Sequence, residues 1–394
     1  MIENNTFGDI APDIISDAIS WRHHLHRHPE LAYRENLTAD FIAARLSEFG
    51  LSVHRGLGGT GVVGTLARGT SRRTIAIRAD MDALEVTEQS GVPHSSCTPG
   101  IMHACGHDGH VAIALAAARA STSLRELDGT VHFIFQPAEE GKAGARQMIE
   151  DGLFRLFPCD AVYALHNWPD LPIGALAAHA GPIMAGSDRF DIVLKGRGGH
   201  AAMPHHTSDV LLAASALVGQ LNTVVGRRIA PVEAAVLSIT QINGGHSHNV
   251  LPDQVTVSGT VRTFKTEVQE AIESALSQVA EGVAIASGTQ AEVVYHRNYP
   301  PTINHPEAAA FVRSIAGSPA LNFNVMELPP SMGAEDFSFM LKEVPGCYFW
   351  LGAGRLFDHA NLHSPNYDFN DDAVGLGVAL WTSLIRTSLS GQPL

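Results

Sequence analysis

The fold of this 394-residue chain is constrained most by a repeated pattern, in which a short apolar strand ends in polar residues and a helix follows. The sequence predicts such strands at residues 73–78, 129–136 and 161–165. Repeated strand, loop and helix units are typical of an α/β fold with a mostly parallel sheet. Because the carboxyl ends of parallel strands lie at one edge of the sheet, the polar residues that follow them should come together there.

The α/β pattern is interrupted between residues 186 and 296. Within this stretch the sequence predicts a strand, a helix, two strands, a helix and a last strand, at residues 188–195, 209–225, 234–242, 254–264, 267–286 and 290–296. This order is that of the ferredoxin-like unit, a four-stranded antiparallel sheet with two helices on one face. The sequence therefore predicts two domains, residues 1–185 with 297–394 and an inserted α+β domain at residues 186–296.

Composition restricts the class of protein. Hydrophobic residues make up 45% of the chain and charged residues 17%, which is typical of a soluble globular protein. The net charge of −14 argues against a nucleic acid or an anionic membrane as partner. The sequence has no apolar stretch of about 18 residues, and residues 1–17 lack the regions of a signal peptide. Its four cysteines are few and far apart, so we expect a cytoplasmic protein without a disulfide framework.

Residues 105–110, Cys-Gly-His-Asp-Gly-His, form a dense group of possible metal ligands. They include no aliphatic side chain, so the segment is poor material for a core. Thiolate sulfur and imidazole nitrogen are ligands that borderline-soft divalent metals prefer. Cys105 and His107 are one residue apart, and we expect both to point to one side of an extended loop. Asp108 and His110 are interpreted as support for that loop.

Further candidate ligands follow the predicted strands. Glu139 and Glu140 follow one strand, His166 follows the next, and His363 lies in a late loop with His359. One thiolate, two or three imidazoles and one carboxylate can bind two metal ions, with the sulfur as the bridge. In the glutamate pair, one carboxylate would bind metal and the other would be the general base for a metal-bound water, whose pKa falls to about 7. His359 is interpreted as a loop residue.

Asp80 and Asp82 follow the strand predicted at residues 73–78, and two interpretations stay open for them. Carboxylates behind a metal site often orient its ligands. Alternatively, these carboxylates are simply polar residues at the end of a strand and do not orient any ligand.

Residues 56–61, Gly-Leu-Gly-Gly-Thr-Gly, match the dinucleotide fingerprint Gly-x-Gly-x-x-Gly. In that fingerprint a helix follows, because the helix N-terminus binds the pyrophosphate. Here residues 62–66, Val-Val-Gly-Thr-Leu, predict a strand instead. The glycines therefore predict a hairpin turn. The alternative hypothesis of a nicotinamide-dependent oxidoreductase has no other support in the sequence than this motif.

Nine motifs along the chain resemble those of one family, the aminoacylase and glutamate-carboxypeptidase type of co-catalytic metallopeptidases. They are LHRHPEL (25–31), RADMDAL (78–84), MHACGHDGH (102–110), QPAEEG (136–141), GGHAAMPH (198–205), NVLPD (249–253), GTVRT (259–263), GAEDF (333–337) and HSP (363–365). Any one of them is weakly specific, but together and in this order they are highly specific. More narrowly, the chain resembles the amidohydrolase branch with hippurate hydrolase and the plant auxin-conjugate hydrolases.

The resemblance implies a two-metal catalytic domain with a mostly parallel sheet, in which Glu139 is the general base. The metal ligands that it implies are Cys105, His107, Glu140, His166 and His363. Thiolate and imidazole ligands suit zinc, whereas the carboxylate and an exchangeable site also allow manganese, cobalt or nickel.

For the inserted domain, the resemblance implies a role as lid and dimerisation domain in a homodimer or higher homo-oligomer. His200 would stabilise the tetrahedral oxyanion, in its own or a neighbouring subunit. Asn249 and Arg262 would hold the free carboxylate of the substrate. A guanidinium can bind a carboxylate through two hydrogen bonds, which agrees with the assignment of Arg262.

The predicted function is a metal-dependent amidohydrolase that cleaves a small N-acyl or N-aroyl amino acid to a carboxylic acid and a free amino acid. A dipeptidase or an N-acetyl-diaminopimelate deacetylase of the same fold remains an alternative. The sequence does not separate these activities, because the shape of the pocket determines which acyl group fits. A non-catalytic metal-binding protein is a further alternative. Glu139 argues against it, since a pure binding site needs no second carboxylate beside the ligand.

Overall fold

The computed structural model describes residues 10–354 and 360–390, and the chain divides into two compact units. The first unit contains the chain up to Ile183, Ile303–Pro329 and the chain from Asp336 onward. The second contains Met184–Thr302 and Pro330–Glu335. The insertion predicted at residues 186–296 lies inside this second unit, and its role as lid and dimerisation domain stays a prediction.

The first unit begins with two helices and continues as strands alternating with helices. Its elements before the second unit are α1 (Pro12–Arg27), α2 (Asn36–Glu48), β1 (Ser52–Leu57), β2 (Gly61–Arg68), β3 (Thr74–Asp80), α3 (His107–Ser121), β4 (Gly129–Gln136), α4 (Glu139–Lys142), α5 (Gly144–Glu150), α6 (Leu153–Leu156), β5 (Ala161–Pro172), β6 (Ala175–Ala177) and β7 (Gly181–Met184). β1 and β2 form an antiparallel hairpin, with Gly58 and Gly59 at positive φ in the turn. The glycine motif is therefore a hairpin turn, as predicted.

The second unit has a hydrophobic core of its own. Its elements are β8 (Gly186–Lys195), β9 (Gly199–His200), a short 3-10 helix (Pro204–His206), α7 (Val210–Leu221), α8 (Thr223–Arg228), β10 (Ala235–Asn243), β11 (Val250–Leu251), β12 (Gln254–Thr263), α9 (Thr266–Ser287) and β13 (Gln290–Tyr299). Four strands pair antiparallel in the order β10-β12-β8-β13. Alternate strand residues such as Ile192 and Val257 are buried with apolar residues of α7 and α9. The predicted ferredoxin-like fold is confirmed.

The chain then completes the first unit. The remaining elements are β14 (Thr302–Asn304), α10 (Pro306–Ala316), β15 (Asn324–Met326), α11 (Ser338–Glu343), β16 (Gly346–Gly354) and α12 (Asp372–Leu389). Among the described residues, no helix is both long and apolar enough to cross a membrane.

In the described part of the first unit, eight strands form one sheet in the order β1-β2-β4-β3-β5-β16-β6-β15. Its centre, from β4 to β16, is parallel, whereas β1, β2 and β4 are antiparallel neighbours. The alanine-rich α3 is buried along nearly its whole length and packs against α1 and α12. The predicted mostly parallel α/β sheet is confirmed, and β3, β4 and β5 direct their carboxyl ends to the same edge.

Candidate metal centre

The residues at this edge come from three neighbouring parallel strands. β3 ends at Asp80, and Asp82 follows. β4 ends at Gln136, three residues before Glu139, and β5 carries His166 in its interior. The strand order therefore brings together polar groups that are far apart in sequence, as predicted. The prediction that His166 follows its strand is wrong, because residues 167 and 168 continue the pairing of β5 with β16.

Cys105 and His107 reach this edge from the start of α3. Gly106 has a φ of 90° and precedes the helix, so the pair does not lie on an extended loop as expected. A side chain at Gly106 would lie 2.6 Å from Oδ1 of Asn167, which explains the need for glycine there. The Sγ atom of Cys105 lies 3.5 Å from Nε2 of His166. The turn thus places the thiol next to an imidazole from β5.

A tight turn carries Glu139 and Glu140. Ala138 before it has the left-handed values φ 57° and ψ 41°, which are unfavourable for a residue with a side chain. Asp82 holds the turn, because its Oδ1 accepts the N–H of Glu139 and its Oδ2 that of Glu140, each at 3.0 Å. Oε1 of buried Glu35 accepts the N–H of Ala138 at 2.9 Å. Two buried carboxylates therefore fix three successive backbone N–H groups.

His363 is brought to the same place by backbone pairing. Its N–H donates to the carbonyl of Ala104 at 2.8 Å, and its Nε2 lies 3.3 Å from Oε1 of Glu140. His363 has a positive φ of 65°, another strained backbone position at the cluster. His359 lies outside the described residues.

Two imidazoles present the same nitrogen to the cluster. His107 donates from Nδ1 to the carbonyl of Asp82 at 2.9 Å, and His166 donates from Nδ1 to that of Asn167 at 2.8 Å. These bonds leave Nε2 of each ring as a lone-pair donor. Metal-binding histidines commonly have their second nitrogen engaged in this way.

The ligand atoms fit divalent cations. Those of Cys105, Glu140 and His363 lie within 4.8 Å of one another. Nε2 of His107 and Oε1 of Glu140 are buried, 4.0 Å apart, and without a hydrogen-bond partner among the described residues. Unpaired buried polar atoms are costly, and a shared cation would satisfy both. Sulfur, nitrogen and carboxylate donors together suit borderline metals such as zinc.

The charges around the cluster also favour a cation. Burial lowers the pKa of His107, but the carboxylates of Asp80 and Asp82 outweigh it and raise this pKa to about 10. Burial, with a further contribution from Glu140, raises the pKa of the Cys105 thiol. Without metal, protons on these groups therefore offset the negative charge of the carboxylates. Bound cations would offset the same charge in place of the protons.

A second layer of polar groups supports the ligands. The N–H of Asn167 donates to Nε2 of His110 at 3.0 Å, so this imidazole carries its proton on Nδ1 and donates it to Asp80 at 2.6 Å. The amide of Asn167 also contacts the hydroxyl of Tyr367 at 2.5 Å. Both nitrogens of His110 are thus engaged, which agrees with its interpretation as a supporting residue.

For Asp80 and Asp82, these contacts favour the interpretation that they orient residues of the site, since Asp82 holds the glutamate turn and Asp80 accepts from the supporting His110. Sequence reasoning did not find Glu35, Asn167 or Tyr367. The only local signal was that Asn167 directly follows His166.

The other candidate residues lie in the second unit. His200 of β9 is paired with Val250 of β11, and the carbonyl of Asn249 accepts the N–H of Ala201 at 3.0 Å. His200 and Asn249 are therefore neighbours within this unit. Arg262 lies on β12, half-buried, and burial lowers its pKa. The roles of these three residues in catalysis and substrate binding stay predictions.

The chain is similar to known proteins over most of its length. The family model described as peptidase family M20/M25/M40 matches residues 76–387. N-acetyl-L-cysteine deacetylase of Bacillus subtilis is 39% identical over 90% of this chain and 84% of its own length. Hippurate hydrolase of Campylobacter jejuni is 37% identical over 92% of this chain and 94% of its own length. The crystal structure of the Bacillus subtilis YXEP protein, a dinuclear metal-binding peptidase, matches with a TM-score of 0.85 and 34% identity, over 96% of this chain and 99% of that chain.

Proposed function

Because this chain belongs to peptidase family M20/M25/M40 and is a metal-dependent amidohydrolase, we propose that it hydrolyses N-acyl and N-aroyl amino acids. The products are a carboxylic acid and a free amino acid. The observation that carries the proposal is the convergence of one thiol, three imidazoles and two glutamates at one sheet edge, with buried ligand atoms left unpaired.

The residues that would hold two divalent ions are Cys105, His107, Glu140, His166 and His363. Bound metal ions supply Lewis acidity, which lowers the pKa of water and polarises a carbonyl. Zinc suits the thiolate and imidazole donors, and manganese, cobalt and nickel are compatible with the same set.

Glu139 is the residue that moves the proton. Its backbone N–H is fixed by Asp82, and its carboxylate lies near the ligands His107 and Glu140, within 4.8 Å of their ligand atoms. As general base, its carboxylate removes a proton from the attacking water while the oxygen bonds to the amide carbon. It then delivers that proton to the amine nitrogen as the C–N bond breaks, so that the amino acid leaves as a neutral amine.

We assign substrate binding to the second unit. His200 stabilises the oxyanion, from its own or a neighbouring subunit of a homodimer or larger homo-oligomer. Asn249 and Arg262 hold the carboxylate of the amino-acid half, for which a half-buried guanidinium is well suited. The described cysteines are unpaired, which supports a reducing cytoplasmic location.

The test is a panel of N-acetyl and N-benzoyl amino acids, N-acetyl-diaminopimelate and dipeptides, assayed after reconstitution with zinc, manganese, cobalt or nickel. We expect release of the free amino group from acyl amino acids and its loss with a chelator. Cleavage of dipeptides alone would make the protein a dipeptidase. No release from any substrate would favour a binding protein.

A further inference from the structure

Two tryptophans lie beside His166 on one face of the main sheet. Trp168 follows His166 by two residues on β5, so both side chains point to the same face, about 7 Å apart. In the parallel register, Trp350 of β16 lies opposite His166. A candidate metal ligand thus has an aromatic neighbour along its own strand and another across the sheet.

The two indoles support each other. The rings of Trp168 and Trp350 are stacked, with centroids 4.2 Å apart and planes inclined by 19°. Trp350 is 1% exposed, and His179 contacts it edge-on. Trp168, in contrast, is only partly buried. One face of the Trp168 indole is therefore held against a fixed partner, while part of its surface remains accessible.

Such an indole is suited to one half of the substrate. The amino-acid half carries a carboxylate and requires a cation, whereas the acyl half can be apolar. Aromatic rings associate at centroid distances of about 4.5–7 Å, and a surface that is already rigid loses little entropy on binding. Because Trp168 lies on the same face of the sheet as the ligand His166 and two residues from it, an aromatic group attached to a carbonyl at the ligand cluster would extend along the face that carries this indole.

We propose that Trp168, stacked on Trp350, binds a planar aromatic acyl group and so selects aroyl over acetyl amino acids. This inference rests on the proposed amidohydrolase function and names the substrate class within it. Trp168 is then a specificity-determining residue, because its position two residues beyond His166 places it on the same face of the sheet as this ligand.

The test compares kcat/KM for N-benzoylglycine and N-acetylglycine. In Trp168→Ala we expect the benzoyl-to-acetyl ratio to fall about tenfold, mainly through KM, because the ring loses its stacking partner. Trp168→Phe should keep most of the ratio, and Trp168→Leu should be intermediate. Phe157→Ala is the matched control, since Phe157 is a half-buried aromatic residue that contacts the rings of His54 and His132 edge-on.

A ratio within twofold of wild type in Trp168→Ala, or an equal fall in Phe157→Ala, overturns the inference while the amidohydrolase function stands. If Trp168→Ala does not fold, the benzoyl-to-acetyl ratio of kcat/KM in Trp168→Phe and Trp168→Leu tests the inference instead. If neither substrate is cleaved, the proposed function fails, and binding of benzoate and acetate followed by tryptophan fluorescence tests the surface directly. Benzoate binding that is no tighter than acetate binding, or that is unchanged in Trp168→Ala, then overturns the inference.

Discussion

Two polar clusters in the first unit both contain histidine and acidic residues but differ in how their charges are matched. The metal cluster consists of Cys105, His107, Glu140, His166 and His363. The Arg22 cluster consists of Arg22, His26, Glu88, Asp108, Asp368 and Asp371. His107 and Asp108 are adjacent in sequence, so the boundary between the two clusters lies within the first turn of α3.

In the Arg22 cluster the charges pair with one another. The guanidinium of Arg22 lies 3.2 Å from Asp108, 3.0 Å from Asp368 and 2.6 Å from Asp371. His26 lies 2.9 Å from Asp108, which outweighs burial and raises the pKa of His26 to about 9. This cluster supplies its own cations, so it needs no metal.

The metal cluster contains no arginine or lysine, and imidazoles face its carboxylate: Nε2 of His363 lies 3.3 Å and Nε2 of His107 4.0 Å from Oε1 of Glu140. Neither Nε2 of His107 nor Oε1 of Glu140 has a hydrogen-bond partner among the described residues. Histidine and acidic residues therefore do not by themselves define a metal site. The metal cluster differs from the Arg22 cluster because thiol and imidazole groups, rather than a permanent cation, face its carboxylate, and four experiments test this distinction.

The largest effect is expected for Glu139→Gln. A glutamine cannot accept the proton of the attacking water, so kcat should fall about a thousandfold or more. Metal content by elemental analysis should stay near wild type, because Glu140 and the other ligands remain. Glu150→Gln, at an exposed position on α5, is the control. Full activity of Glu139→Gln would exclude the general-base assignment.

Arg22→Met tests the other cluster. It leaves three aspartates without their cation, so the free energy of unfolding should fall by about 4 kcal/mol. Urea unfolding measures this loss, and the metal-to-protein ratio of the folded fraction should not change. Arg119→Met is the matched control: Arg119 also pairs with two aspartates, Asp13 and Asp17, but on the surface. Loss of metal in Arg22→Met would show that the clusters are not separate.

Glu35→Gln should remove a dependence of stability on pH. Burial raises the pKa of Glu35 from 4.5 to about 7, so the folded protein keeps a proton that the unfolded chain releases. Wild-type stability should therefore fall by about 3 kcal/mol between pH 4.5 and 7, and the fall should be absent in Glu35→Gln. Urea unfolding of both metal-free proteins at pH 5 and pH 8 measures the difference. Parallel pH profiles would contradict it.

Asp82→Asn should have the smallest effect. The asparagine has one acceptor oxygen where two N–H groups require one each, so one of Glu139 and Glu140 loses its anchor. A loss of about 2 kcal/mol corresponds to a fall in kcat of about thirtyfold. Asp128→Asn is the matched control, because Asp128 accepts the N–H groups of Thr70 and Ser71 at a distant turn. Equal effects of both variants on kcat would refute the role of Asp82.

Local patterns in the sequence were enough for the fold class. The apolar strands, the helices and the inserted β-α-β-β-α-β order could be predicted, because each depends on the periodicity of apolar residues over about 5 to 20 neighbouring positions. The candidate ligands were predicted from their side-chain chemistry together with the motifs that resemble those of the family. The glycine turn at residues 56–61 was recognised from the strand that follows it.

Only the tertiary structure decided which polar groups are paired. Arg22 meets Asp368 across 346 positions of the chain, and Asp82 meets Glu139 across 57. Such pairs depend on the strand order β4-β3-β5-β16 and on helix packing, and no local pattern encodes them. The stacking of Trp168 on Trp350 has the same origin, because parallel register across two strands sets it. Sequence thus named the side chains that can bind metal, and packing decided which of their atoms are left free to do so.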